Sequence, residues 1–168
     1  MAIRTKILNS WFNACGLSLI LAAFTFSPAM AQETTYDDVA AIFAWTPFAE
    51  WEAAGYEKLP FCYDGSTHGH PELGGLGFAA VNVPLVDDTI DPLEPEGLWL
   101  DAEDQVIGLA YMVPSRETDP PELFGHDFGP TPDEDYLGLN VWFVGALDDR
   151  FESYNPAVTC PEGTAYGS

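Results

Sequence analysis

Apolar residues follow a helical period near the front of the chain and a strand-like one beyond Gly55. Val39, Ile42 and Phe43 recur at helical spacing. Thr34 and Thr35, followed by Asp37 and Asp38, supply a capped start with acids in the first turn. Thr46-Pro47 interrupts the period and restarts it, with Thr46 as the cap, Pro47 in the first helical position and Gly55 as the stop. The pattern predicts a kinked helix or two short helices over residues 36–54, with Trp45, Phe48 and Trp51 turned into the core.

After Gly55 the chain breaks into short apolar runs separated by Gly, Pro and Asp. "LGFAAVNVP" at 76–84 predicts a strand, and residues 98–100 and 106–113 predict two more around a polar turn at 102–104. The last is "LGLNVWFVGA". Two long Pro-bearing connections separate them, the second expected to be ordered by Leu123, Phe124 and Phe128 tucking inward. The expected class is α+β: an N-terminal helix or helix pair packed on a curved antiparallel sheet of about four strands, with long Pro/Gly-rich loops. A small β-barrel is the alternative.

Residues 1–31 read differently. Arg4 and Lys6 precede an apolar stretch at 17–26 and an Ala29-Met30-Ala31 site, the pattern of a secretory signal peptide cut after Ala31. The stretch is too short to span a bilayer. Cys15 lies ahead of the apolar core, not behind it, which argues against a lipidated cysteine. The remaining 32–168 suit a single domain exported to the periplasm or the medium.

Charge narrows the partners. The formal net charge is −22, and every acidic residue lies beyond Ala31. Such a field repels nucleic acid and anionic lipid, so neither is expected as a partner. It fits solubility in a salty exterior, or attraction of a cation or basic partner. Export would place Cys62 and Cys160, the two cysteines beyond the cleavage site, where a disulfide persists.

Candidate chemistry is sparse. His68 and His70 form an H-x-H pair, and His126 beside Asp127 offers a third nitrogen for zinc or copper. The acidic stretches "VDDTID", "LDAED" and "TPDEDY" carry oxygen donors for calcium but lack the spacing of an EF-hand loop. There is no G-x-S-x-G nucleophile, and "GGLG" leads into a strand without a lysine to receive phosphate. An exposed tryptophan with two acids would suit a carbohydrate-active protein.

The stretches "GGLGFAAVN", "DDTIDPLEPEGLWL", "VIGLAYMVP", "PPELFGHDF", "LGLNVWF" and "YNPAVTC" occur in an order that resembles a family of small exported bacterial proteins of unknown function. The resemblance covers about Cys62 to Cys160. Where that family reads G-x-H-Y-V-N and L-H-x-W, this chain has Ala79 and Asn140 in place of the histidines. The resemblance implies that Ala79 and Asn140 face one side of a sheet, and with Trp142 they form the candidate ligand-binding set; alternatively Asn140 satisfies backbone groups. It also supports Cys160 as a half-cystine, whereas "ALDDRF" departs from the family's turn.

The expected function is that of an exported, acidic, non-enzymatic domain binding a small ligand or a protein partner outside the cytoplasm. The competing expectation is a metal-binding protein or metal-dependent enzyme built on His68, His70 and His126.

Overall fold

The computed structural model describes residues 33–115, 120–131 and 135–166, apart from the side chains of residues 67 and 68. The expected signal peptide lies outside the described residues. Two short helices, α1 (Tyr36–Phe43) and α2 (Phe48–Glu52), precede β1 (Glu57–Asp64), β2 (Gly75–Val81), β3 (Gly97–Leu100) and β4 (Val106–Pro114). Then come β5 (Glu122–Leu123), β6 (His126–Asp127), β7 (Gly129–Pro130) and β8 (Tyr136–Trp142).

The expected helix packed on a four-stranded sheet is overturned. The chain is mostly sheet: six antiparallel strands in the order β1-β2-β3-β4-β8-β7, with β5 and β6 as a separate two-stranded piece. Strand β1 escapes sequence reading because "EKLPFCYD" carries Pro60 and does not alternate. It lies at the sheet edge, where its pairing with β2 shifts register between Lys58 and Cys62 and a proline is tolerated. Strand β7 is two residues of the Pro-rich connection laid against β8. The helices are short because Thr46-Pro47 divides them, and α2 starts one residue later than expected, with Pro47 itself in the cap position. Thr35 and Asp38 do form the capping box at the start of α1.

The sheet buries both faces. Ala80, Leu98, Leu109 and Val141 are cross-strand neighbours in one row, and pack with Val39, Phe43 and Phe48 of the helices. The next row, Ala79, Trp99, Gly108 and Trp142, faces the other way. Trp142, Leu76 and Ile107 there pack against Val158 and the partly buried Val144 and Tyr154 of the C-terminal segment. Phe128 is buried, and Leu123 and Phe124 pack against the helix-side core, so they do order the second connection.

Three ties hold the C-terminal segment. A disulfide joins Cys62 to Cys160. Gly75 and Asn155 exchange backbone hydrogen bonds at 3.1 and 3.0 Å. Cys62 N–H donates to the Thr164 carbonyl, and Tyr166 N–H to that of Cys62, both at 2.8 Å. Gly74 sits at φ +85°, where a Cβ would fall 2.2 Å from the Asn155 carbonyl oxygen. The glycines before β2 therefore serve close backbone approach.

Candidate functional site

Ala79 and Asn140 do lie on one face of the sheet, and Trp99 stands between them. Trp99 is the cross-strand neighbour of Ala79, and its Nε1–H donates to Asn140 Oδ1 at 2.9 Å. Asn140 Nδ2 donates to the Ser153 carbonyl at 2.8 Å. The amide thus ties β8 to the segment that covers it. Trp142 is completely buried, and its Nε1–H donates to the Glu152 carbonyl at 2.8 Å.

The histidines sit in different settings. His126, on β6, stacks on Phe151 with ring centroids 3.9 Å apart. His70 Nδ1 lies 3.5 Å from a Glu72 carboxylate oxygen in the turns before β2. His68 ends a short 3₁₀ turn, and its side chain lies outside the described residues. Among the described residues no group of three or more His, Cys, Asp or Glu could hold a metal ion. Asp87, Asp91 and Asp101 each accept from the backbone N–H two residues on, at 2.6, 2.8 and 3.0 Å. These carboxylates shape their own turns.

Sequence reasoning missed a different site. Trp45, expected in the core, is 55% exposed. The signal was present in the spacing: at 100° per residue, Trp45 falls about 200° from Phe43, off the stripe of Val39 and Phe43. Its backbone adopts φ +61°, where a bulky residue is strained. Three backbone hydrogen bonds enforce that shape by joining the helix link to the β3–β4 turn. Trp45 N–H donates to the Val106 carbonyl at 2.8 Å, Val106 N–H to that of Thr46 at 2.9 Å, and Phe48 N–H to that of Asp104 at 2.8 Å.

Trp45 borders a cleft of about 280 Å³. Phe78, Leu100, Ile107, Val144 and Val158 are the larger apolar residues of its lining, and Asp101, Glu103 and Thr159 the polar ones. Asp101 Oδ1 is engaged by the N–H groups of Glu103 and Gln105, whereas Glu103 is exposed. A second cleft, lined by Phe48, Glu52, Lys58 and Asp104, shares Glu103 with the first. The Lys58 ammonium pairs with the Asp104 carboxylate and lies 4.4 Å from the centre of the Phe78 ring. Asp104 itself sits at φ +58°, so two of the three non-glycine residues at positive φ among the described residues border these clefts.

The indoles separate the site from the scaffold. Trp51 donates to Thr46 Oγ1 at 2.7 Å, Trp99 to Asn140 and Trp142 to Glu152. Trp45 Nε1 makes no hydrogen bond among the described residues.

One buried acid lies apart from the clefts. Glu96 is 2% exposed, and its Oε2 accepts from Met112 N–H at 2.8 Å. Burial is the largest influence on it and pushes its pKa up from 4.5 to about 7. Tyr56 and Tyr111, also raised by burial, donate their hydroxyls to the Pro95 and Pro92 carbonyls of the same connection.

No protein-family model, curated protein or solved structure matches this chain.

Proposed function

We propose that this chain is an exported, acidic domain that binds a small ligand outside the cytoplasm, and that the ligand occupies the Trp45 cleft. The observation that carries the reading is Trp45 itself: a large aromatic, strained and exposed, beside a cleft of mixed apolar and polar lining. Local strain of this kind costs of order 1–3 kcal/mol and persists where the surroundings enforce it, often at ligand sites. Core packing does not account for it here, since more than half of the residue's surface faces solvent.

Export is supported by the leader-like residues 1–31 and by the Cys62–Cys160 disulfide, a bond that persists in oxidising compartments. No helix among the described residues is long and apolar enough to cross a membrane. The resemblance to small exported bacterial proteins points the same way.

The test is a panel titration of the ¹⁵N-labelled, oxidised protein with glucose, cellobiose, succinate, choline and arginine at constant ionic strength. At least one member should shift the Trp45 indole N–H resonance saturably, and Trp45→Ala should abolish its binding. A panel that leaves that resonance unmoved would overturn the reading.

A further inference from the structure

Resting on that reading, we infer that the Trp45 cleft selects a small organic monocation with an apolar sheath, of the quaternary ammonium kind. Its parts match such an ion one by one. Trp45, 55% exposed and bordering the cleft, supplies an aromatic ring, and tryptophan is the strongest cation–π partner among side chains. Glu103, exposed and bordering the cleft, supplies the opposite charge. Leu100, Ile107 and Val158 are part of the lining, against which methyl groups can lose water.

The same features disfavour other ligands. An anion would need a cation, and the one that approaches Phe78, Lys58, is already paired with Asp104. A sugar would draw on several polar groups, whereas the cleft offers the side chains of Glu103 and Thr159 and an Asp101 whose Oδ1 is occupied by two backbone N–H groups. At about 280 Å³ the cleft lies just below the usual range for drug-sized ligands, which favours a small ion. The net charge of −22 attracts cations from a distance.

The molecule also contains its own version of the contact. The Lys58 ammonium lies over the Phe78 ring beside the Asp104 carboxylate, which combines cation, aromatic face and acid. Phe78 borders the Trp45 cleft, so the chemistry proposed for the ligand is already in use at its wall.

The experiment compares choline with 3,3-dimethylbutan-1-ol, the same shape without the charge, by titration of the Trp45 indole resonance at constant ionic strength. Choline should bind at least tenfold more tightly than the alcohol. Glu103→Gln, an exposed change that leaves the core intact, should weaken choline severalfold, and Trp45→Ala should abolish its binding. Equal affinity for the alcohol would overturn the cation inference while leaving the cleft as a binding site. Choline binding untouched by Glu103→Gln and Trp45→Ala would place the ion elsewhere and overturn it too. Failure of the whole five-compound panel would overturn both this inference and the reading beneath it.

Discussion

Trp142 and Trp45 are the same residue put to opposite uses. Trp142 is completely buried, stacks on Trp99 at a centroid distance of 6.2 Å, and gives its indole hydrogen to the Glu152 carbonyl. Its own carbonyl accepts from the Tyr36 hydroxyl at 2.9 Å. Gly108 makes room for it: a Cβ there would stand 2.7 Å from Trp142 Cε3. Trp45 instead sits on strained backbone and presents its ring to solvent. The contrast separates two tryptophans and not two regions, since Ile107, Val144 and Val158 pack with Trp142 and also line the Trp45 cleft proposed for binding. Trp142 and Trp99 have their indole N–H groups satisfied internally, while Trp45 and Glu103 stay exposed.

The contrast is broken most severely by releasing the covering segment. Replacing Cys62 and Cys160 with alanine removes a cross-link spanning 98 residues. The chain-entropy model puts that loss at about 4–5 kcal/mol, which chemical denaturation would read as a lower midpoint. Trp142→Ala should cost about 3–5 kcal/mol by the cavity it leaves. Both variants should also weaken choline binding, because Cys62 and Val158 line the Trp45 cleft and Ile107 and Val158 pack with Trp142; choline titration at low temperature would check this.

Glu96 sharpens the comparison from the scaffold side through pH. Its pKa, raised above 4.5 to about 7 in the folded protein, means that the folded state binds more protons than the unfolded one between those values. Stability should therefore be full below about pH 4.5 and fall as pH rises through 7, by about 3 kcal/mol from this group alone. Relief of repulsion among the other acids runs in the same direction, so the informative quantity is the difference from Glu96→Gln. That variant should melt higher than wild type at pH 8 and converge with it near pH 4. A smaller effect, about 1 kcal/mol, is expected for Asn140→Ala, which strips the acceptor from Trp99 and the donor from the Ser153 carbonyl.

How much of this is legible in the sequence depends on whether the signal is local. The capping box at Thr35, the break at Thr46-Pro47 and the strands after Gly75 follow from spacing and turn chemistry, and each appears. The edge strand β1 does not, because Pro60 and a register shift hide its period. Strand β7 is hidden for another reason: two residues carry no pattern of their own. Cys62 and Cys160 are paired, as their expected compartment suggests. Trp45 defeats any reading that equates apolar character with burial; its angular position against Val39 and Phe43 holds the correct answer. The role of Trp99 between Ala79 and Asn140 requires the register, which no single segment contains.

The most direct measurement is the melting temperature of Trp45→Asn beside that of Trp142→Ala. Asparagine tolerates the left-handed backbone, so the strain relieved should roughly offset the partial burial of the indole that the smaller side chain gives up. Trp45→Asn should then stay within about 1 kcal/mol of wild type, or roughly 4 °C, while Trp142→Ala falls well below it. A destabilisation at position 45 of about 3 kcal/mol or more, comparable with that at 142, would contradict the division and return Trp45 to the scaffold.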